Sequence, residues 1–498
     1  MKTKNILWLL FSFFLCVGCE DLEDTYSDYA GDGEIRYVGK CTDVEVSSGW
    51  KRLIVSWKNN PDSNIDKIKV RWGLDAKYDS LLFDAGTMEC IIPNLEDGNY
   101  EVCVYGVDKD GNQSLTTPLF GRPYTATHET ILSFTRLISK HYFLRDRLIL
   151  FFSTWSDQVE SAVLNYYEKG GGFRTLNLNA ELIEKKYYML PEGIDTSKPV
   201  ILERKGRVEG CDDLIIFDPY ELSKEKVFNP EFKQLMRAKY GLAEISEDFA
   251  NNLEEIEIDY SINSFEDILN LPNLKKLILG KNRFMNENYL DLTGNNSQLY
   301  DQEVSLFALN VANEVCGLIV ERYNRHFLPE QTLAYMTEMG NPVLPELIPL
   351  DSKDWKITCE PEDEDNYDSY LNNLVDKNLK TSWQPEFASI SRSHEISIDM
   401  KATRTVRGVK ITQKDFDPET DKASQNLLPS VIKIKVLTED LDEKEISYVE
   451  ENTLGATAGE ATIINFHAAQ NVRYLKFIVS DQPYGNNFTL ALAEIEVF

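Results

Sequence analysis

Cys19 is the first residue of the chain whose position could carry chemistry. It follows an apolar run over residues 6–17, which begins after a short basic segment. The run is too short to span a bilayer as a helix, but it suits the hydrophobic part of a secretory signal peptide. Because the small residue Gly18 directly precedes Cys19, we predict a signal peptide over residues 1–18 and lipid attachment at Cys19. Cleavage as an ordinary signal peptide is the alternative.

Lipid on Cys19 would anchor a chain that shows no other membrane segment in its sequence. Each buried methylene of a diacylglyceryl or acyl chain contributes about 0.8 kcal/mol, so several chains hold a protein stably. Residues 19–34 are strongly acidic and are predicted to form a flexible tether. The tether resembles the acidic export signal of surface lipoproteins in the Bacteroidota, although a plain solvated linker is the alternative. We therefore expect a lipid-anchored protein of the outer membrane, exposed at the cell surface.

The charge of the chain limits the partners that it can bind. The sequence has 82 acidic and 52 basic residues, which gives a formal net charge of −30. Phosphate binding needs a basic face, so we expect no nucleic-acid partner. Neutral ligands, cations and a surface protein remain open as partners.

Motifs for catalysis or zinc binding do not occur in the sequence. The five histidines stand far apart without an HExxH pair, and there is no Gly-x-Ser-x-Gly elbow. The six cysteines after Cys19 include no CxxC pair. We expect most of them to be buried thiols, with one bridge, Cys90 to Cys103, as an open possibility. The motifs give no support for an enzyme.

Two β-sandwiches are predicted to follow the tether, over residues 35–123 and 124–219. Alternating stretches such as "KRLIVSWKNN", with Trp57, and "DGNYEVCVYGV", with Tyr100, lie between turn signals. They resemble the fibronectin type III fold, in which Tyr100 would be the tyrosine corner. In the second sandwich, the three glycines at 170–172 predict a hairpin turn. The order of the two modules resembles an uncharacterised domain family of Bacteroidota surface lipoproteins.

Residues 220–350 contain a short internal repeat. "LEEIEIDYSI" from Leu253 returns 21 residues later as "LKKLILGKNRF" from Leu274, the spacing of leucine-rich repeats. Only two turns are visible, so we expect support from a helix on each side. The stretches "NPEFKQLMRAKYG" and "EVSLFALNVANEVCGLIVERYNRHF" have helical periodicity. We predict a leucine-rich-repeat-like α/β segment.

Residues 351–498 carry several separated motifs in a fixed order. They are "LVDKNLKTSWQP", "HEISIDM", "VRGVKITQ", "PSVIKIKV", "VRYLKFIV" and "LALAEIEVF". Together they resemble the discoidin or coagulation factor 5/8 type C domain, whose bacterial members often serve as family 32 carbohydrate-binding modules. The resemblance implies a β jelly roll. The whole chain is thus predicted to be mainly β and multidomain, with tandem immunoglobulin/fibronectin III-like sandwiches before the leucine-rich segment.

The same resemblance implies a structural calcium site in the last module. Calcium takes six to eight hard oxygen ligands. Asp376 and Thr381 fall in the loop that matches the family's site, and Glu494 matches the acidic ligand from the last strand. A capping Asp, a hydrogen-bonded Thr and an exposed Glu are the alternative.

A carbohydrate site would lie on loops at one end of the jelly roll. Sugar recognition needs an aromatic face for the pyranose ring and amide, guanidinium or imidazole groups for its hydroxyls. The candidates are Arg392, His394, Phe416, Tyr484, Asn486 and Asn487. Trp383 is expected in the core, and for Phe416 too a core position is favoured over a platform.

The sequence therefore predicts a non-catalytic surface lipoprotein that captures glycans through its last module. About 130 residues separate the second sandwich from that module, against about 250 for a typical catalytic barrel, so we predict that the protein is not an enzyme. A protein-binding adhesin or assembly factor, which would use the leucine-rich segment or the sandwiches, is the alternative.

Overall fold

The computed structural model describes residues 38–211, 213–284, 298–323, 327–328, 331–340, 343, 346–362, 370–445 and 452–498. Cys19 and the predicted signal peptide and tether lie outside the described residues. Strands far outnumber helices among the described residues, which confirms the prediction of a mainly β, multidomain protein. Within the described ranges, we find no helix with the length and apolar character needed to cross a membrane.

The first sandwich pairs a three-stranded with a four-stranded antiparallel sheet. The strand orders are β1-β2-β5 and β4-β3-β6-β7. Trp57 and Tyr100 are buried in the core between the two sheets, as the alternation predicts. The strands are β1 (Thr42–Gly49), β2 (Arg52–Lys58), β3 (Lys67–Leu74), β4 (Lys77–Asp84), β5 (Glu89–Ile92), β6 (Tyr100–Val107) and β7 (Leu119–Gly121).

The two cysteines of the possible bridge lie on different sheets of this sandwich and are free thiols. Cys90 on β5 belongs to the apolar core. Cys103 on β6 lies beside Arg71, whose Nη2 donates to its sulfur at 3.6 Å. Both thiols are buried, which fits the expectation of reduced, buried cysteines.

The second sandwich has its own core, between the sheets β12-β9-β8 and β11-β10-β13-β14, with β15 paired to β13. The predicted glycine turn joins β10 to β11, where Tyr167 is opposite Phe173 and Gly171 has a φ of 90°. The elements are α1 (Glu129–Thr135), β8 (Ile138–Leu144), β9 (Arg147–Phe152), β10 (Val159–Tyr167), β11 (Phe173–Leu178), α2 (Ala180–Ile183), β12 (Tyr187–Met189), β13 (Ile201–Gly206), β14 (Ile215–Ile216) and β15 (Tyr220–Glu221).

The leucine-rich segment is built on a parallel sheet of order β16-β17-β19-β20. Ile256 is opposite Leu277, so strands one repeat apart lie side by side. A 3₁₀ turn over Glu266–Asn270 packs against the long helix α5. The elements are α3 (Pro230–Tyr240), α4 (Glu247–Asn252), β16 (Glu255–Ile258), β17 (Lys276–Leu279), β18 (Arg283–Phe284), α5 (Gln302–Cys316), β19 (Ile319–Arg322) and β20 (Met336–Glu338).

The prediction of one long helix downstream of the repeat is wrong at its C-terminal end. Helix α5 stops at Cys316 because Gly317 adopts the left-handed conformation, with a φ of 72°. The β-branched pair Ile319 and Val320 then enters the sheet, where Val320 lies opposite Leu277. The sheet thus has four strands where the sequence pattern shows two repeats.

The C-terminal module is a β roll around two very long strands. Its main sheet has the order β21-β22-β26-β23-β24, with β29 paired to β22. Ile396, Ile398, Leu475 and Phe477 are fully buried at its centre. The strands are β21 (Lys356–Glu360), β22 (Ser393–Gln413), β23 (Val431–Leu437), β24 (Glu443–Glu445), β25 (Asn452–Thr453), β26 (Ala461–Ser480), β27 (Gln482–Tyr484), β28 (Asn487–Thr489) and β29 (Leu492–Val497).

A buried ion pair joins the leucine-rich segment to the C-terminal module. Strand β18 pairs with β26, and Arg283 donates to Glu460 through Nε at 2.6 Å and Nη2 at 2.9 Å. Both side chains are 0 % exposed. A Cβ at Gly455 would lie only 1.9 Å from Glu460 Oε1, so the pair requires glycine there. Paired strands and a desolvated bidentate ion pair give the two regions one shared interface.

Candidate functional site

An aromatic pair lies on the surface at one end of the C-terminal module. The ring centroids of Phe387 and Tyr484 are 5.5 Å apart with an interplanar angle of 42°. Phe387 is 48 % exposed, and Tyr484 is half-buried. Large apolar rings in water carry a cost unless a ligand or partner covers them. This aromatic pair is therefore a candidate platform for a ligand with an apolar face.

The loop that carries Phe387 is fixed to the hairpin that carries Tyr484. Ala388 and Phe488 exchange two backbone hydrogen bonds of 2.8 and 2.9 Å. The hydroxyl of Thr489 donates to the carbonyl of Pro385 at 2.7 Å. The aromatic pair is thus positioned by the backbone before any ligand arrives, which lowers the entropic cost of binding.

Asn486 and Asn487 are exposed at the hairpin turn next to Tyr484. Asn487 is opposite Tyr484, and Gly485 supplies the positive φ of 61° that the turn needs. Amide groups donate and accept hydrogen bonds, so they suit sugar hydroxyls. The structure brings these three predicted residues together on one surface.

Arg392 forms hydrogen bonds both to the loop that carries Phe387 and to the residue that precedes the Tyr484 hairpin. Its Nε and its backbone N donate to Asp481 Oδ2 at 2.9 and 3.0 Å, and its Nη2 donates to the carbonyl of Glu386. The side chain keeps 23 % of its surface exposed. The structure therefore places Arg392 as a positioning residue of the Phe387 loop.

The prediction that His394 contacts a sugar is wrong, because the side chain is 0 % exposed. Its Nε2 lies 2.8 Å from Asp481 Oδ1, its Nδ1 lies 3.9 Å from Cys359 Sγ, and its ring meets Trp383 edge-on. Burial alone would raise the pKa of Asp481, but the hydrogen bonds from His394 and Arg392 outweigh it and lower that pKa. His394 is a structural residue of the core.

Phe416 is also buried, which confirms the core position favoured for it and rules it out as a sugar platform. The ring packs against Leu428 and Ala458 in a small apolar cluster. The segment after β22 turns back toward Gly459, whose N–H donates to the carbonyl of Lys414 at 3.1 Å. Trp383 is buried as expected.

The predicted calcium ligands lie close together. The hydroxyl of Thr381 donates to Asp376 Oδ2 at 2.8 Å, and the N–H of Asn378 donates to Asp376 Oδ1 at 2.8 Å. The N–H of Lys377 donates to Glu494 Oε2 at 3.0 Å. The loop and the last strand thus face each other across this group of oxygens.

Glu494 is 2 % exposed, so the alternative of an exposed Glu does not hold. Burial and the nearby charge of Asp376 raise the pKa of Glu494 to about 8. In the described part of the chain, no three His, Cys, Asp or Glu side chains converge as metal ligands. A cation here would therefore need the Thr381 hydroxyl or backbone carbonyls as well as the two carboxylates. Two facing carboxylates, one of them buried, fit a hard divalent cation.

Comparison with known proteins finds a family model that matches less than half of the chain. A family model, DUF4998, described as a domain of unknown function, matches residues 19–192. This range spans the first sandwich and most of the second. No curated protein matches the chain.

Several solved structures are similar to single regions of the chain. A family 32 carbohydrate-binding module from C. perfringens, in complex with galactose, has 16 % identity and a TM-score of 0.23, covering 29 % of this chain and 92 % of its own. The C-terminal domain of a chitobiase from Bacteroides fragilis has 20 % identity and a TM-score of 0.23, covering 30 % and 97 %. A two-domain fibronectin type III segment of chicken tenascin has 12 % identity and a TM-score of 0.19, covering 37 % and 97 %. Likeness at these scores says nothing about what this chain binds.

Proposed function

We propose that this protein is a non-catalytic glycan-binding protein whose ligand docks on the Phe387–Tyr484 aromatic pair. The single observation that supports this most is a backbone-fixed pair of rings, one exposed and one half-buried, beside two exposed amides. The C–H face of a pyranose ring packs on the rings, and the amides of Asn486 and Asn487 bond its hydroxyls. Most of the ligand stays in water, so each site binds weakly.

Display on a membrane would compensate for that weak affinity. We propose that a lipid on Cys19 anchors the chain in the outer membrane and that the sandwiches hold the last module away from the surface. Many copies facing one polysaccharide raise the effective concentration of sites. Metabolic labelling with a clickable fatty acid tests the anchor. Label is expected on the native chain and absent from Cys19→Ala, and an unlabelled native chain would contradict the proposal.

We further propose that Asp376, Thr381 and Glu494 hold a structural calcium ion. The ion would supply the positive charge that the Asp376–Glu494 pair lacks among the described residues, and it would fix the loop to the last strand. The raised pKa of Glu494 supports this proposal, because a divalent cation would stabilise the ionised carboxylate.

A glycan array with the purified full chain tests the glycan-binding proposal. The native chain should bind a defined subset of glycans, and the double variant Phe387→Ala, Tyr484→Ala should lose that signal. Phe173→Ala is the matched control, since Phe173 forms a similar exposed pair with Tyr167 at 5.3 Å in the second sandwich. A native chain that ignores every glycan would contradict the proposal. Release of reducing ends from any polysaccharide would contradict the non-catalytic part.

A protein-binding role is the second candidate, and one observation favours it. Strand β4 is an edge strand of the first sandwich, and it exposes apolar side chains such as Leu82, at 63 %. Unpaired edges with exposed apolar residues can accept a strand from another protein. If the array is blank while Leu82→Lys abolishes cross-linking to a surface protein on intact cells, this second role replaces the first.

A further inference from the structure

A cleft of about 570 Å³ lies between the leucine-rich segment and the C-terminal module. Helix α3 and strand β16 with the residues after it form one wall, and strand β26 forms the other. The volume falls within the range of small-molecule sites, which often lie between domains. The cleft is separate from the aromatic pair, since it shares no lining residue with that surface.

The two walls of the cleft are held in place by the buried ion pair. The ring of Tyr260 lines the cleft, and the guanidinium of Arg283 lies 5.4 Å from its centroid. The Tyr260 hydroxyl bonds to Thr462 on the opposite wall. Strand pairing, ion pair and tyrosine together make a preformed cleft with an aromatic side chain in its lining.

A polar network forms one side of the cleft. Lys239 pairs with Glu257 and, at 3.3 Å, with Asp259. The side-chain amide of Asn282 donates to Glu257 Oε2 at 3.0 Å and to Asp259 Oδ2 at 2.9 Å. Asp259 is buried and also accepts from the backbone N–H of Asn282 at 3.0 Å. Glu257 keeps 20 % of its side chain exposed, and each of its oxygens can accept more than one hydrogen bond, so Glu257 can still accept from a ligand.

Amides and a hydroxyl lie around this network. Gln234 and Asn465 are exposed on opposite walls, and Ser261 is half-buried between them. Groups that both donate and accept hydrogen bonds match the hydroxyls of a sugar. The lining thus combines amide, hydroxyl and carboxylate groups with an aromatic ring.

The charge of the cleft lining further limits the class of ligand that can bind. Three carboxylates of the lining, Glu231, Glu257 and Asp259, face the ammonium group of Lys239, and Lys281 next to the lining adds a second ammonium group, 3.3 Å from Glu257, so one negative charge remains in excess. Burial lowers the pKa of His467, despite its hydrogen bond to the Ala238 carbonyl, so His467 adds no positive charge at neutral pH. An excess of negative charge repels anionic ligands and attracts an ammonium group.

We infer that this cleft is a second binding site, for a short saccharide that carries a free amino group. The sugar hydroxyls bond the amides of Gln234 and Asn465, and the ammonium group lies toward Glu257. The inference goes beyond the proposed function and does not depend on it, because it uses a different surface.

Isothermal titration of the purified full chain at pH 7 tests this inference, with galactosamine and glucosamine as probes and galactose and glucose as their neutral counterparts. At least one amino sugar should bind, at least tenfold more tightly than its neutral counterpart. Gln234→Trp and Asn465→Trp fill the cleft from opposite walls and should each weaken that binding at least tenfold. Lys233→Trp places the same ring on α3 outside the lining and should leave the affinity within twofold.

Three results would overturn the inference. The first is that neither amino sugar binds the native chain. The second is that amino sugars bind no better than the neutral sugars. The third is that binding survives Gln234→Trp and Asn465→Trp, both with native melting temperatures, but is lost in the Phe387→Ala, Tyr484→Ala variant. That last pattern would assign the amino sugar to the aromatic pair and leave the proposed function standing.

Discussion

Two buried glutamates of the C-terminal module have opposite surroundings. Glu460 is 0 % exposed and meets the guanidinium of Arg283, which comes from the leucine-rich segment. Glu494 is 2 % exposed and accepts from the backbone N–H of Lys377 at 3.0 Å, while the charge of Asp376 repels it. Among the described residues, no Lys or Arg lies within ion-pairing distance of Glu494. One carboxylate is neutralised by the chain itself, and the other is not.

The difference shows which buried carboxylates the polypeptide can neutralise with its own side chains. A buried charge is tolerated only when it is paired, protonated or bound to a metal. Glu460 is paired, so the interface between the two regions needs nothing from outside. Glu494 must be protonated or must bind a cation, so the proposed calcium site predicts that its loop responds to pH and to calcium.

Breaking the Arg283–Glu460 pair should give the largest effect. Arg283→Met or Glu460→Gln leaves one buried group without its partner, so the free energy of unfolding should fall by about 3–5 kcal/mol. Urea denaturation measures the change. Glu254→Gln is the matched control, since Glu254 and Lys275 form an exposed pair on the leucine-rich sheet. A loss below about 1 kcal/mol in both interface variants would contradict the account of the interface.

A third buried carboxylate, Asp267, extends the comparison to pH. It accepts hydrogen bonds from Asn229, and burial raises its pKa to about 6. The unfolded chain releases this proton near pH 4, so the folded state holds an extra proton between about pH 4 and 6. Stability should therefore fall by about 2–3 kcal/mol as the pH rises through that window.

The variant Asp267→Asn isolates this contribution. Urea denaturation of the native chain and the variant at pH 4.5, 5.5 and 6.5 gives the difference in unfolding free energy at each pH. That difference should shift in favour of the variant as the pH rises. A difference that stays constant across the series would show that Asp267 does not retain its proton.

Calcium should stabilise the C-terminal module by no more than the change in stability expected for Asp267. At a concentration one hundred times the dissociation constant, binding adds about 2.7 kcal/mol. Thermal melts with calcium and with a chelator measure the shift in melting temperature. The shift should vanish in Glu494→Gln, and an equal shift in the native chain and the variant would place the ion elsewhere.

The smallest effect is expected for Glu494→Gln without calcium. Because the pKa of Glu494 is about 8, the native side chain is mostly protonated at pH 7, and glutamine resembles that neutral form. The free energy of unfolding in chelator should change by less than about 1 kcal/mol. The same substitution thus costs much at Glu460 and little at Glu494. Equal costs at the two positions would remove the basis of the comparison.

Most of the fold could be predicted from local sequence patterns. The pattern of "LEEIEIDY" is repeated 21 residues later in "LKKLILG". This repeat predicts the parallel register in which Ile256 lies beside Leu277. The same rule of alternation applies to "HEISIDM", where His394 is in phase with the buried Ile396 and Ile398. That phase indicates a buried histidine, whereas the residue type alone suggests a polar contact with a ligand.

Contacts between distant segments could not be read from the sequence. Arg283 and Glu460 are 177 residues apart, and the repeat pattern that contains Arg283 does not indicate its partner. Phe387 was missed because one aromatic residue in "QPEFASI" has no periodicity, and its role depends on Tyr484 almost 100 residues later. Neighbours of this kind are defined by the folded sheet and not by local spacing.

The affinity of the full chain for the glycan that gives the strongest array signal tests the central claim most directly. Isothermal titration should show that Phe387→Ala, Tyr484→Ala binds this glycan at least tenfold more weakly than the native chain, while Phe173→Ala binds it equally well. The melting temperature of the double variant should stay native, because both rings lie at the surface. An affinity within twofold of the native value in the double variant would contradict the account.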